Sequence, residues 1–191
     1  MTTTTNKSLH DKLISLLATK SVKRGDFVLS SGKKSSHYVD ARRTTMSAAG
    51  LEVIGSLGLR AIRSAGWRPR YVGGLTLGAD PVAYAVALAS VEAPPPVDAF
   101  TVRKEPKAHG MAQLIEGCFE AGARVVVVED VLTTGASALR AAAAVRAAGA
   151  TVEGVLVVVD RDEGGAIAIR QAGYQFVALA SIRDLGLTPT G

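Results

Sequence analysis

Cysteine is almost missing from this chain. Cys118 stands alone among 191 residues, which excludes an internal disulfide and fits a reducing compartment. Aromatic residues are scarce as well, 5% of the chain against 48% apolar in total, so the core must be built from Val, Ala and Leu. No apolar run approaches the ~20 residues that cross a bilayer. The start, Met1 to Ser8, lacks the apolar stretch of a signal peptide and is expected to fray. A soluble, cytoplasmic protein with no membrane partner is the expectation. Blocks of five or more Lys/Arg are also absent, and the net charge of +5 is dispersed with little aromatic interleaving. That balance suits small polyanionic substrates and indicates no nucleic-acid face. No repeat or linker divides residues 1–191, which are read as a single domain.

What is present centres on the thirteen residues from Val125 to Ser137. Val125, Val126, Val127 and Val128 predict a strand buried on both faces of a parallel sheet. Glu129 and Asp130 follow where that strand should end. Val131 and Leu132 then lead into the turn Thr133-Thr134-Gly135-Ala136-Ser137, and an alanine-rich helix is expected from Ala138 to Ala148. A helix start offers free N–H groups and a favourable dipole, and hydroxyls beside it complete an anion site. Two carboxylates beside such a site make sense if the ligand carries sugar hydroxyls or brings a divalent cation. A buried strand with an acidic helix cap is the plainer alternative, but a cap needs one acid or hydroxyl. Two acids and three hydroxyls are more than it requires.

This stretch resembles the 5-phosphoribosyl-1-diphosphate (PRPP) motif of type I phosphoribosyltransferases. The resemblance implies that Glu129 and Asp130 hold the ribose hydroxyls and that Thr133 to Ser137 cradle the 5′-phosphate. It also implies Mg²⁺ as cofactor, carried by PRPP and reaching Glu129 and Asp130 at most through water, with no direct protein ligand.

Upstream, Leu9, Leu13, Ile14, Leu16 and Leu17 predict an amphipathic helix from Ser8 to about Ala18. Val22 to Asp40 reads as two short strands around a polar glycine turn, a hood spanning roughly residues 20–42. Its Phe27-x-Leu29-x-Ser31-Gly32-x-x-Ser35 pattern, followed by Tyr38-Val39-Asp40, is similar to the hood of orotate phosphoribosyltransferases. There the hairpin covers the pyrimidine, which implies base contacts for Tyr38 and Val39. A lysine common in that family is replaced here by Ser30, with Lys33 and Lys34 close by. From the residues alone, His37 and Tyr38 read as ordinary strand packing.

Ser47 to Ser64 predicts a helix stopped by Gly66. Tyr71 to Gly78 reads as a short strand and a glycine-rich turn, with a helix from Pro81 to about Val91. A plain tight turn accounts for this stretch equally well. In phosphoribosyltransferases a loop here meets the diphosphate, which implies that Thr76, Leu77 and Gly78 bind it through main-chain N–H groups. Some orotate enzymes carry a lysine near Leu77, and this chain does not. Asp98 to Val102 is the next strand and runs into Arg103-Lys104-Glu105-Pro106-Lys107-Ala108-His109-Gly110. Pro and Gly argue against a helix there. The spacing resembles the mobile catalytic loop of orotate phosphoribosyltransferases, roughly residues 103–115. The family then implies catalytic roles for Arg103, Lys104, Lys107 and His109, shared across a homodimer.

Thr151 to Val159 predicts another buried strand delivering Asp160-Arg161-Asp162 at its carboxyl end. The residues permit an Arg161 paired with Asp160 or Asp162. The family places this arginine on the orotate carboxylate, with Thr133 nearby. A short helix from Ile167 to Ala172, a strand from Phe176 to Leu179 and a loose tail beyond Leu187 complete the chain.

The expected fold is α/β: a type I phosphoribosyltransferase fold with a parallel sheet of about five strands, flanking helices and a small N-terminal hood. The implied activity is transfer of 5-phosphoribosyl from PRPP to orotate. Another phosphoribosyltransferase, or a sensor that keeps the PRPP pocket and binds nucleic acid, is the alternative.

Overall fold

The computed structural model describes residues 2–28, 34–105 and 114–189, with side chains from Lys7 onward. The first helix, α1 (Thr2–Leu16), starts ahead of Ser8 and passes into a π-helical turn, Leu17–Ser21. The expected frayed start is therefore helical backbone. No Gly or Pro interrupts it, and Leu13 and Leu17 anchor the helix in the core. Strands β1 (Val22–Val28) and β2 (Lys34–Val39) form the antiparallel hood, with Val22 opposite Val39 and Arg24 opposite His37. The turn with Ser30, Gly32 and Lys33 lies outside the described residues.

After a single turn, α2 (Arg42–Thr45), comes α3 (Ala48–Ser64). Ser47 caps α3, its Oγ accepting from the Gly50 N–H at 3.2 Å. Next are β3 (Tyr71–Leu75), α4 (Ala79–Glu92), β4 (Asp98–Val102), β5 (Ile115–Gly117) and β6 (Arg124–Leu132). Helix α5 (Ala136–Ala147), β7 (Thr151–Asp160), α6 (Gly165–Gln171) and β8 (Gln175–Ser181) complete the order, followed by a 3₁₀ turn at Arg183–Leu185. Pro81 falls inside the first turn of α4, where a missing N–H costs nothing.

The main sheet runs β5-β4-β3-β6-β7-β8. Five strands are parallel, as expected, and β5 adds a short antiparallel edge against β4. Alternation along β6 sorts its valines between two apolar layers. Val126 and Val128 join Leu156, Val158 and residues of α1, α3 and α4 on one face. Val125 and Val127 join Val155, Val157 and the alanines of α5 on the other. All four valines are fully buried, so β6 is fixed before its acidic end is reached.

Candidate active site

Strands β3 and β6 are neighbours, and the chain leaves β3 toward β4 on one side and β6 toward β7 on the other. Such a switch point opens a crevice beyond the carboxyl ends of the strands. A cavity of about 310 Å³ lies there. The hood contributes Tyr38 and Val39, with Asp40 and Arg42 just after it. The turn after β3 contributes Thr76, Leu77 and Gly78. Glu129, Asp130 and Val131 of β6, Ser137 of α5 and Lys104 complete the wall. Ten residues singled out by sequence thus meet at one place.

Glu129 is 6% exposed, and its Oε2 has no hydrogen-bond partner among the described residues. Burial, reinforced by the neighbouring Asp130 carboxylate, pushes its carboxyl up to about 8. Glu129 therefore keeps its proton well above the usual carboxylate range. Donors supplied by a ligand, such as ribose hydroxyls, would favour its ionised form. Asp130 is half-buried and packs against the β3 turn. A Cβ on Gly78 would stand 2.3 Å from Asp130 Oδ1, so a larger residue there would displace the Asp130 carboxylate.

The Thr133–Ser137 turn begins α5. Gly135 sits at φ 85°, a left-handed backbone that favours glycine. The Ala136 N–H points to Thr134 Oγ1 at 3.4 Å. The start of α6 braces the turn from below, since a Cβ on Gly165 would meet the Thr133 carbonyl oxygen at 2.5 Å. Thr134, Ala136 and Ser137 are exposed, whereas Leu132 is buried in the core. Leu132 shapes the turn from behind.

Sequence reasoning missed Asp80. It is 9% exposed and accepts from Thr76 Oγ1 at 2.6 Å and Thr101 Oγ1 at 2.9 Å. It ties the turn after β3 to strand β4 and so holds Thr76 in place. Its acidity also suits the first turn of α4. An acid four residues after a threonine was the available signal.

Lys104 reaches the cavity wall, and its carbonyl oxygen accepts from the Arg140 guanidinium of α5. Arg103 lies outside the cavity, 3.5 Å from Glu116 of β5. Lys107 and His109 lie outside the described residues.

Arg161 does not line the cavity either. Its N–H donates to the Leu132 carbonyl at 3.0 Å, and its guanidinium meets Glu163 at 2.8 Å, both side chains largely buried. The residues permit Asp160 or Asp162 as its partner; the ion pair seen is with Glu163, while Asp162 binds Arg183 at 2.8 Å and Asp160 accepts from the Asp162 N–H. Asp162 turns away because its backbone is left-handed, φ 54°. His37 of β2 is 2% exposed. Burial and then the Arg161 charge hold its imidazole below the usual range. Tyr38 points the other way, 40% exposed and 5.9 Å from the Phe27 ring.

A larger cavity, about 550 Å³, opens at the opposite end of the sheet between Arg63, Trp67, Pro94 to Pro96 and Arg124. Arg63, Arg68 and Arg124 there donate to main-chain carbonyls. Those guanidinia hold loops together. The smaller cavity has the acids, the glycine turn and the helix start, and it is the candidate site.

No protein-family model matches the chain. Full-length relatives do. The chain is 43% identical over 181 residues to an orotate phosphoribosyltransferase of Rhodopirellula baltica, covering 93% of this chain and 94% of the relative. It is 48% identical over 177 residues to that of Mycobacterium leprae, covering 92% and 96%. The chain belongs to the orotate phosphoribosyltransferase family. Solved structures agree with this placement. An orotate phosphoribosyltransferase of Mycobacterium tuberculosis, in complex with iron(III) dicitrate, superposes with a TM-score of 0.85 at 46% identity, covering 94% of this chain and 99% of that one. The Mycobacterium tuberculosis enzyme in complex with PRPP gives 0.78 at 44% identity, with the same coverage. An adenine phosphoribosyltransferase of Trypanosoma brucei shares the fold at 18% identity and a TM-score of 0.65, covering 93% of this chain and 81% of that one. The orotate phosphoribosyltransferase fold in this chain is the α/β core and hood expected from its sequence.

Proposed function

We propose that this chain transfers 5-phosphoribosyl from PRPP to orotate, giving orotidine 5′-monophosphate and diphosphate in pyrimidine biosynthesis. The observation that carries the reading is the meeting of Glu129, Asp130, Thr76 to Gly78 and Ser137 around one crevice, in a chain with full-length orotate phosphoribosyltransferase relatives. In this reading Glu129 and Asp130 accept from the ribose hydroxyls, and Thr133 to Ser137 receive the 5′-phosphate at the start of α5. Main-chain N–H groups of Thr76 to Gly78 hold the diphosphate.

The C1–oxygen bond breaks and the diphosphate leaves with the electron pair. The base nitrogen then bonds to the electron-poor C1 and gives up its proton to the departing diphosphate or to water. Lys104, with Arg103, Lys107 and His109 of the same loop, stabilises the charge on the departing group. Arg161 holds the orotate carboxylate, for which a guanidinium fork is suited. Thr133, Tyr38 and Val39 align the base from the turn and the hood. Mg²⁺ would come with PRPP, held by oxygens of the substrate. The protein offers two adjacent carboxylates, and no cluster of three or more metal-binding side chains occurs among the described residues. When bound, Mg²⁺ neutralises diphosphate charge.

A homodimer completes the reading. Tyr84, Leu88 and Val91 lie on one face of α4 and are 54%, 74% and 67% exposed, an apolar stripe that a second copy would cover. Residues 1–191 act as one domain, because Leu13, Leu17 and Val39 of the amino-terminal part share an apolar cluster with Val126 of the sheet. A cytoplasmic setting suits the free, exposed Cys118.

A panel of bases with PRPP and Mg²⁺ tests the assignment. Turnover of orotate, and none of uracil, adenine or hypoxanthine, is the expected result. Preference for another base would discard the specificity and keep the fold.

A further inference from the structure

The hood buries a polar atom without satisfying it. His37 Nε2 has no hydrogen-bond partner among the described residues, although the residue is only 2% exposed. Buried polar groups left unpaired are costly, and a persistent one in a folded protein calls for a reason. Strand β2 alternates strictly, with Ser35, His37 and Val39 inward and Lys34, Ser36 and Tyr38 outward. Tyr38 and Val39 both reach the wall of the cavity, and His37 stands one residue before them, on the buried face of β2 that also carries Val39. There the charges acting on the imidazole are Arg161 and Glu163 from beyond β7 and Arg24 from β1. The ribose end of the substrate belongs in the cavity and the carboxylate end of the base at Arg161. His37 is next in β2 to Tyr38, which lines that cavity, and the Arg161 charge acts on its imidazole.

We propose that His37 is a specificity-determining residue that reads the pyrimidine ring. Its Nε2–H donates to an oxygen of the base beside the one held by Arg161. The proposal rests on the orotate reading above. Two features support it. Burial and the neighbouring guanidinium keep the imidazole neutral, so it meets the base as a dipole and adds no second cation. Its main chain is pinned as well, with the His37 N–H donating to Ser35 Oγ and that hydroxyl donating to the His37 carbonyl. The ring is therefore carried on a fixed stretch of strand.

The test compares His37→Phe and His37→Gln with the parent enzyme, measuring KM for orotate, KM for PRPP, and Tm without ligand. Phe keeps the ring and removes the unpaired polar atom. The expected result is a loss of about tenfold or more in kcat/KM for orotate. KM for PRPP should stay within about twofold and Tm should rise, since an unsatisfied buried group has gone. Gln restores a donor and should recover part of the orotate KM. A Phe variant with unchanged orotate KM overturns the proposal. So does one whose Tm falls while both KM values rise together, because that marks a packing role. If the parent enzyme turns over a different base, the orotate reading fails first. Variants measured with that base then show whether His37 still reads it.

Discussion

The two halves of β6 make opposite contributions. From Val125 to Val128 every side chain is fully buried among apolar neighbours on both faces of the sheet. One residue later the strand carries Glu129 just as deeply, as a carboxyl held neutral by burial and by its acidic neighbour. The first half gains stability from valine burial, on the order of 2 kcal/mol for each fully buried side chain. The second gives part of it up by burying an acid at the floor of the cavity. The glycines follow the same division. Gly74 lets β3 pass close to Val128, whereas Gly78 lets a loop touch Asp130. Packing that only stabilises and packing that positions chemistry occupy the same strands, separated by one turn of chain.

Breaking that contrast from the catalytic side should give the largest effect. Lys104→Ala is expected to cut turnover by ~10²–10³ while leaving Tm nearly unchanged, because the side chain is exposed and its role is charge stabilisation. Steady-state kinetics beside a thermal melt would check this. From the structural side, Val127→Ala should lower stability by about 2 kcal/mol through lost burial and a residual cavity. Its KM values, taken well below Tm, should match the parent. A denaturant titration separates it from Lys104→Ala.

A smaller change probes the border between the halves. Gly78→Ala places a methyl against the Asp130 carboxylate and should raise KM for PRPP about tenfold, with a minor change in Tm. A normal KM for PRPP would mean that the turn can move aside. The smallest effect sharpens the contrast by pH. In the unfolded chain Glu129 releases its proton near 4.5, and in the folded protein near 8, so the folded state holds a proton that the unfolded state has lost between these values. Stability from this group is full below about 4.5 and is lost as pH rises toward 8. Glu129→Gln should therefore match the parent's Tm at low pH and exceed it increasingly toward pH 8, while weakening PRPP binding. Equal differences in Tm at both ends of the range would contradict a buried neutral Glu129.

Much of this was legible in the sequence because apolar runs and glycine turns are local signals. The valines of β6, the helix that begins after Ser47 and the turn at Gly135 each announce themselves within a few residues. Strand β5 did not, since Ile115 to Gly117 is short and takes strand form only by pairing with β4. Helix α1 extends beyond its apolar pattern for a related reason. The Leu13 and Leu17 contacts hold a helix whose threonine-rich start has little propensity of its own. In the site, the motif residues were visible, and their partners were not. Asp80 under Thr76, Glu163 on Arg161 and the buried His37 depend on contacts between distant segments, which spacing along the chain does not encode.

The most direct measurement follows the ultraviolet absorbance of orotate mixed with PRPP, Mg²⁺ and the purified protein, before and after diphosphate is added. A PRPP-dependent loss of the orotate band, restored by diphosphate, is the predicted result, because the same loops hold both leaving group and product. An orotate band that stays unchanged with PRPP present, in protein that binds PRPP, would contradict the account.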